Sequence, residues 1–460
     1  MKRFSSDLRT WTRFTVKSIN MLIIIGTLGP LAMGVGSSRI GDDNRYLVLD
    51  SRNIAKTQNA KLTLGEVDKH PANPLFGEDK SWESRFDNLY ANVIYDRQQD
   101  IYKCWYNPFI TDKSAKGMTI EQRKEKPYSA PDNREMAICY AVSQDGINWR
   151  KPSLGVVKFN GSKENNMVFR KASISSPFWG GPHGSGVFKD MQDPDPDRRY
   201  KAIFKGEILS VAFSRDGIHW GDVKPCPEAD VAGDTHNNAL WAPSLNKYVG
   251  FTRSWGEEYG RQVARIESKD FVEWTQAEVV LEGEDKNLQT YSMPVFYHAG
   301  AYLGLVAIHN QQTDRVWTEL AWSPDTKEWN RICPGTPLID NSKEKMAYDW
   351  GCVYAAASPV FLDKEIRIYY GGSDGYHFGW RNGYFCLATL RPDGFAGYEP
   401  MCSDDVAVVT TRPIKFQGKD LRISADIPER SSIKVVAKDE KGNKVAEGQY
   451  VKKTVTDGKV

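Results

Sequence analysis

The sequence predicts an all-β protein whose main part is a five-bladed β-propeller. The first observation is a repeated pattern in which a strand ends in a turn that contains Asp and, in four copies, leads to a Trp. A second is that alternating apolar segments precede every copy. A third is an aromatic content of 12%, which favours broad half-buried sheets. The copies are "AVSQDGINW" (141–149), "AFSRDGIHW" (212–220), "IESKDFVEW" (266–274), "AWSPDTKEW" (321–329) and the looser "TLRPDGFAGY" (389–398).

Each copy closes a unit that reads as an antiparallel meander of three or four strands. Because one meander cannot bury both of its faces, the units are expected to pack around a common axis, so that five units predict five blades over residues 45–400. The strand segments are, in chain order, "NLYANVIYD", "IYKCWYNPF" and "EMAICYAVS"; "GSGVFKD", "YKAIFKG" and "ILSVAFS"; "NNALWAPS", "YVGFTRS" and "RQVARIES"; "YSMPVFYHAG", "YLGLVAIHN" and "VWTELAWS"; and "CVYAAASPVFLD", "IRIYYGG" and "YFCLATL".

Two segments depart from the repeat. Residues 402–460 contain the alternating stretches "DLRISADI" and "SIKVVAKDE", which predict a small β-sandwich-like domain. Residues 113–134 form a charged insertion between the second and third strands of the first blade. A solvated loop is the simpler interpretation of this insertion, and a cover over the mouth of the propeller is the alternative.

The N-terminus has the features of a secretory leader. Five basic residues precede an uncharged stretch at 18–38, and the small-residue sequence Ala32-Met33-Gly34 suits cleavage after residue 34. Removal of residues 1–34 changes the formal net charge from +2 to −2, which argues against a nucleic-acid partner. The expected location is periplasmic or extracellular. The alternative is a retained membrane anchor, because 21 uncharged residues suffice to span a bilayer.

The seven scattered cysteines do not form a disulfide framework, although Cys104 and Cys139 lie on neighbouring strands and are candidates for a pair. No C-x-x-C or H-E-x-x-H motif supports a zinc site. No cofactor is implied, and a structural Ca²⁺ ion held by oxygen ligands in the central channel is left open.

Candidate site residues follow from propeller geometry, because the residues that begin the innermost strands meet at one mouth, together with the loops after the second strands. At the strand starts these are Arg85, Asp87, Asn88, His183, Asp234, His236, Asn237, Tyr291, Asp349 and Trp350, and in the loops Glu207, Arg253 and Asp374.

Several carboxylates converging on one narrow channel favour catalysis. Any one of Asp87, Asp234 and Asp349 is also explained as the cap of a turn. Together with Glu207 they match glycoside hydrolysis, in which one carboxyl protonates the leaving oxygen and another acts at the anomeric carbon. His183 is an alternative acid. Arg85 and Arg253 suit either an ionised carboxylate or an acidic or sulfated sugar. Trp82, Trp179, Trp255 and Trp350 are candidate platforms for sugar stacking, with core packing as the alternative.

The five-fold pattern, the "SRDGIHW" turns and the closing "IYYGGSDGYHFG" resemble the five-bladed glycoside hydrolases of families 32, 43, 117 and 130 across residues 45–400. The resemblance implies that Asp87 is the base or nucleophile, that Asp234 or Asp349 is a second carboxylate, and that Glu207 is the nearest candidate acid. The "W-x-N-D-P-N-G" stretch of the fructan-cleaving enzymes is replaced here by "WESRFDNLYANV", and blade two opens with "GPHGSG". These departures indicate a family distinct from the fructosidases.

The leading hypothesis is therefore an exported, exo-acting glycosidase with a carbohydrate substrate and no nucleic-acid partner. Membrane contact is expected only if the N-terminal segment is retained. One alternative is a non-catalytic carbohydrate-binding propeller. Another is a glycoside phosphorylase, for which Lys205 and Arg253 are the available phosphate ligands.

Overall fold

The structure of the protein is a computed structural model that describes residues 15–17, 21–28, 45–170, 179–402, 404–415, 421–428, 431–451 and 455–459. It confirms an all-β protein with five antiparallel blades around a central channel. Blades four and five are joined into one sheet by a single parallel pair, Val316 with Cys352. One short α-helix, Ile120–Glu125, and three 3₁₀ turns, Ser51–Asn53, Pro196–Arg198 and Pro227–Ala229, interrupt the strands in the described ranges.

The strands of each blade, from the channel outward, match the predicted units. Blade one has Asn92–Asp96, Ile101–Tyr106, Arg134–Ser143 and Met167–Arg170, with Phe109–Thr111 and Trp179–Gly180 added to its third strand. Blade two has His183–Lys189, Tyr200–Lys205, Leu209–Ser214 and Lys224–Pro225, and blade three has Asn238–Ala242, Lys247–Gly256, Gly260–Ser268 and Glu278–Leu281. Blade four has a divided first strand, Leu288–Ser292 and Val295–His298, then Ala301–Asn310, Arg315–Ser323 and Asn330–Ile332, and blade five has a divided first strand, Cys352–Ala355 and Val360–Phe361, then Ile366–Ser373 and Gly383–Leu390.

Hydrogen bonds between neighbouring inner strands close these blades into a ring. The Asn92 side chain of blade one donates to Ser185 O of blade two (2.8 Å), and Val295 N of blade four donates to Asn238 Oδ1 of blade three (3.0 Å). The ring returns to its start where Ala357 N of blade five donates to Ala91 O (2.9 Å). The inner strands therefore form the wall of one channel, as the sequence predicted.

The outer edge of blade five is completed by chain from before the first blade. Asp68–Lys69 and Phe76–Gly77 both pair antiparallel with Gly383–Leu390, the last strand of the propeller. The first and last parts of the propeller are thus joined in one sheet, which protects its free edge. The repeat pattern did not predict this closing segment.

The repeated Asp turns lie at the ends of the third strands, on the face opposite the mouth. In each of the first four copies, an Asp carboxylate oxygen accepts hydrogen bonds from the two backbone N–H groups that lie two and three residues later, and the preceding Ser Oγ accepts a third. The repeat is therefore architectural.

Two further sheets form the predicted C-terminal β-sandwich-like domain around a separate apolar core. Their strand orders are Ile54–Gln58, Ala407–Thr411, Met21–Leu28, Ser432–Asp439 and Lys444–Val451 in one sheet, and Thr15–Lys17, Arg422–Asp426 and Val455–Lys459 in the other. A two-stranded ribbon, Ala60–Leu64 with Ala396–Pro400, lies between this domain and the propeller in sequence. The domain therefore includes chain from both ends of the sequence, which its C-terminal pattern alone did not indicate.

The predicted leader is only partly described. Met21–Leu28 forms a strand parallel to both Ala407–Thr411 and Ser432–Asp439, so cleavage after residue 34 would remove one strand from that sheet. Cleavage stays a prediction. Within the described ranges no helix is long and apolar enough to cross a membrane.

The suggested disulfide between Cys104 and Cys139 is wrong. Both thiols are free, as are the other five. The register explains why, since Cys139 lies opposite Tyr106 and Cys104 lies opposite Ala141, which places the two cysteines diagonally rather than face to face.

Candidate active site

Asp87 lies at the mouth, just before the inner strand of blade one. Its backbone is left-handed (φ 52°), and Leu89 and Tyr90 are also left-handed, at 63° and 46°. Non-glycine residues adopt this conformation infrequently, and consecutive cases are typical of segments that the surrounding structure holds in place. The result is a tight double turn that presents the carboxylate of Asp87 to the mouth, where 18% of its side chain is exposed.

Two buried guanidinium groups bind the Asp87 carboxylate. Arg85 Nε donates to Oδ1 (3.2 Å), and Arg381 Nη2 donates to the same oxygen. Burial alone would raise the pKa of Asp87, but Arg381 and Arg85 outweigh it and hold the pKa below its ordinary value. Asp87 is therefore a carboxylate at neutral pH.

A chain of hydrogen bonds extends from Arg381 into the channel. Arg381 Nη2 donates to Asn88 Oδ1 (3.0 Å), and Asn88 Nδ2 donates to the hydroxyl oxygens of Tyr90 (2.7 Å) and Tyr291 (2.9 Å). Both phenol groups act as acceptors here, so their own protons remain available to a further acceptor at the mouth.

A histidine and a second carboxylate face Asp87 from blades two and three. His183 Nε2 lies 2.7 Å from Asp234 Oδ1, and Arg253 Nη1 lies 3.5 Å from Asp234 Oδ2. Burial lowers the pKa of His183 despite the hydrogen bond to Asp234, so the imidazole is neutral near pH 7. Burial would raise the pKa of Asp234, but His183 and Arg253 hold it well below its usual range. With 48% of its side chain exposed, Asp234 is an ionised group open to the mouth.

The charged insertion covers one side of the mouth. Arg123 on its short helix forms two hydrogen bonds with the Asp374 carboxylate of blade five (2.9 and 3.2 Å). Further along the insertion, the Tyr128 ring lies over the Arg85 guanidinium at 4.1 Å, and its hydroxyl donates to Asp112 (2.8 Å). The cover interpretation of this segment therefore matches its contacts better than a solvated loop does.

Other candidates from the sequence lie apart from this cluster. Glu207 is exposed in the hairpin between the second and third strands of blade two, with no hydrogen bond or ion pair to any described residue. Asp349 is fully buried, where it binds Lys69 Nζ (2.6 Å) and accepts from Tyr370 Oη (2.9 Å). Its carboxylate thus holds the closing segment on blade five. Trp350 is half-buried against Tyr376 and Arg315 at the rim.

Two polar residues of blade three support the channel wall. His236 is buried 5.4 Å from the Tyr90 ring, and burial lowers its pKa to about 3, so it is uncharged. The Asn237 side chain donates to Gly184 O (3.1 Å) and Gly233 O (3.0 Å), which joins blades two and three beside the mouth.

Three residues of the cluster were missed by sequence reasoning: Arg381, Asp112 and Arg261. Arg381 lies two residues after the "YYGGSDGYHFG" stretch, so the sequence analysis singled out this loop but not the arginine that follows it. Asp112 and Arg261 carry no sequence signal, because only the insertion and a strand end bring them to the mouth. Among the described residues, no group of three or more His, Cys, Asp or Glu side chains is arranged to hold a metal ion.

Comparison with solved structures finds carbohydrate-active enzymes at low identity. A GH130 structure, described as belonging to a family of mannoside phosphorylases that contains hydrolases of β-1,2 mannosidic linkages in Candida mannan, is 16% identical and covers 74% of this chain and 97% of its own (TM-score 0.49). A glycosyl hydrolase from Bacteroides ovatus is 15% identical, with coverages of 74% and 98% (0.48). The catalytic domain of the Coprinopsis cinerea GH62 α-L-arabinofuranosidase is 11% identical, with coverages of 71% and 97% (0.47).

A GH130 structure is among these matches, and family 130 is one of the families that the sequence resembles. At these identities the likeness does not transfer an activity or a residue role to this chain. No protein-family model matches the chain, and no curated protein sequence does so either.

Proposed function

We propose that the protein is a glycosidase that removes terminal sugars at the mouth of the propeller. The observation that carries this proposal is the Asp87 carboxylate, which two buried guanidinium groups keep ionised while part of it faces the mouth. An ionised carboxylate in such a position serves as the nucleophile of a retaining glycosidase or the base of an inverting one. The cover formed by the insertion supports the choice of terminal sugars, because it restricts one side of the mouth.

Asp112 is the proton donor in this proposal. It is half-buried, and burial raises its pKa, whereas the pKa of Asp87 is lowered. Carboxyl groups whose surroundings move their pKa values apart are suited to acid and base roles. Tyr128 connects the two, since it donates to Asp112 and lies over Arg85, which binds Asp87.

The donors named from the sequence fit less well. The His183 Nε2 proton is directed to Asp234, and the other ring nitrogen faces the Met136 sulfur at 2.7 Å. His183 therefore positions Asp234, whose exposed carboxylate is assigned to orient sugar hydroxyls. Glu207 has no contact that would direct it to the same bond as Asp87.

The test measures reducing-sugar release from marine and plant oligosaccharides by the wild type and by Asp87→Asn, Asp112→Asn and the exposed control Asp222→Asn. Both mouth variants are expected to lose about a hundredfold or more of kcat on natural linkages, and the control to lose none. Dinitrophenyl glycosides of the released sugar have a leaving group that needs no proton. On these substrates Asp112→Asn should recover its activity, and Asp87→Asn should stay inactive.

Three results would contradict the assignments. Full activity of Asp87→Asn would exclude it as the acting carboxylate. Release that requires inorganic phosphate would identify a phosphorylase, and glycan binding without release in any buffer would identify a binding module. Export from the cytoplasm is part of the proposal and rests only on the leader-like features of residues 1–34.

A further inference from the structure

Arg261 is a buried cation at the mouth without an acidic partner. It lies at the start of the third strand of blade three and is 9% exposed. Its Nη1 donates to the neutral Gln289 Oε1 (2.7 Å), and its Nε has no hydrogen-bond partner. Within the described part of the chain no carboxylate forms an ion pair with it, and burying an unpaired charge is costly.

A second guanidinium lies beside the same tyrosine. Arg253 lies over the Tyr291 ring at 4.3 Å, and Arg261 lies over it at 5.3 Å. The ion pair of Arg253 with Asp234 is long, at 3.5 Å, and its Nε also lacks a partner. Burial and the neighbouring charge of Arg253 lower the pKa of Arg261. The mouth thus holds more positive charge between blades three and four than its carboxylates neutralise.

Two exposed aromatic rings flank Arg261. The Trp255 ring centre is 5.2 Å from the guanidinium carbon and the Phe378 ring centre is 5.7 Å from it, and the residues are 59% and 56% exposed. The loop that carries Phe378 is fixed, because Phe378 N donates to Asp314 Oδ2 and His377 N donates to Asp314 O, both at 2.9 Å. Aromatic faces held in place beside a polar group are suited to bind the apolar face of a pyranose.

We infer that Arg261, Trp255 and Phe378 form a subsite for a sugar that carries an anionic substituent, either a carboxylate or a sulfate ester. In this subsite the guanidinium group of Arg261 donates to the oxyanion, and the rings of Trp255 and Phe378 pack against the sugar. The inference rests on the proposed function, because it names the substrate class of the same mouth.

The experiment measures binding of the Asp87→Asn protein to an array of uronate-containing, sulfated and neutral oligosaccharides. The same measurement is made with Arg261→Gln and, as a control, Arg215→Gln added, since Arg215 is 70% exposed on a blade-two turn away from the mouth. Glycans that bind are expected to be anionic. Arg261→Gln should lower their binding affinity about tenfold or more, and the control should lower it less than about twofold. Whether uronates or sulfates bind identifies the substituent.

Folding is checked by thermal unfolding, and Arg261→Gln is expected to melt at or above the temperature of its parent because it removes an unpaired buried charge. Arg261→Lys is the second variant, which keeps the charge, loses the bidentate fork and should retain part of the affinity. If either variant folds and leaves anionic binding unchanged, the inference is overturned.

Other outcomes separate this inference from the proposed function. Preferential binding of neutral glycans, or no glycan binding, overturns the subsite. So does Arg261-dependent binding of inorganic phosphate without a preference for anionic glycans. Each of these leaves the glycosidase to be judged by sugar release. Anionic glycans that bind through Arg261 but are never cleaved support the subsite and contradict the glycosidase.

Discussion

The charge state of each ionisable residue at the mouth depends on its partners and on its burial. Asp87 has two guanidinium partners and stays ionised, whereas Arg261 has a neutral amide partner and keeps an unbalanced charge. Glu78 is a third case. Burial raises its pKa to about 7, although its Oε1 accepts from Phe86 N (2.8 Å) and Gly383 N (3.1 Å). Near neutral pH it therefore supports the turn before Asp87 partly in its protonated form.

Stability should therefore depend on pH through Glu78. The folded pKa, about 7, lies above the ordinary value of 4.5, so the folded state binds the proton more tightly. Its contribution is complete below about pH 4.5 and is lost as pH rises through 7. We expect this loss to reach about 2–3 kcal/mol by pH 8.

Glu78→Gln tests this directly, since the amide keeps an acceptor oxygen and does not titrate. Urea unfolding between pH 4.5 and 8 should show that the variant gains stability relative to the wild type as pH rises. The exposed Glu164→Gln serves as the control and should follow the wild type. Parallel curves for wild type and Glu78→Gln would contradict the assignment.

At the scale of elements, the Ser-x-Asp turn forms the same corner in four of the five blades. The residue after Asp is left-handed in all four copies, as Gly146 (73°), Gly217 (80°), Phe271 (66°) and Thr326 (74°). Glycine adopts this conformation without strain, whereas Phe271 and Thr326 adopt it because burial and contacts hold them. The side-chain hydrogen bonds of Ser and Asp are thus sufficient to form the turn without glycine.

Loss of one corner should be measurable. Asp145 Oδ1 accepts from Ile147 N and Asn148 N, both at 2.8 Å. We expect Asp145→Ala to lower the free energy of unfolding by about 1–2 kcal/mol, because two backbone donors lose their partner. The free energy of unfolding is measured by denaturant titration, and Asp222→Ala, at an exposed position, is the control. Equal stabilities of the two variants would mean that solvent replaces these bonds at no cost.

The blade-five loop at 374–382 is the element that assembles the mouth. It brings Arg381 to Asp87, Phe378 to Arg261 and Asp374 to the insertion through Arg123. Since the groups that it contacts come from blade one, blade three and the insertion, changes in this loop are expected to affect several contacts together.

At the scale of the whole molecule, the closing segment joins the two ends of the propeller. The Phe76 ring packs against Phe385 of blade five (4.7 Å) and Tyr106 of blade one (5.6 Å), and Phe86 lies 6.1 Å away. A single buried ring therefore bridges the first and last blades.

We expect Phe76→Ala to destabilise the propeller by about 3–5 kcal/mol, because it leaves a cavity at the junction. The measurement is the urea midpoint and the slope of unfolding. Phe378→Ala is the matched control, since its ring is exposed at the mouth and should have little effect on stability. A loss of under about 1 kcal/mol in Phe76→Ala would mean that the blades close without this contact.

Much of the fold was predictable from the chain, and only part of the site was. Five units with the same turn imply five blades. The structure brings Asp87, Asn88, His183, Asp234 and Tyr291, which were expected at the starts of inner strands, to one mouth together with Arg253, which was expected in a loop after a second strand. The same rule placed Asp349 there, but its carboxylate is bound by Lys69 from the closing segment, which has no repeat signature.

The sequence by itself determined the strands, the corners and the number of blades, because these depend on local periodicity and on turn chemistry within a few residues. Only the tertiary structure decided which charges are neutralised and which are not. The Arg381 contact with Asp87 spans almost three hundred residues, and the lack of an acidic partner for Arg261 is a property of the packed mouth. Charge balance depends on distance and burial in three dimensions, and a linear pattern carries neither.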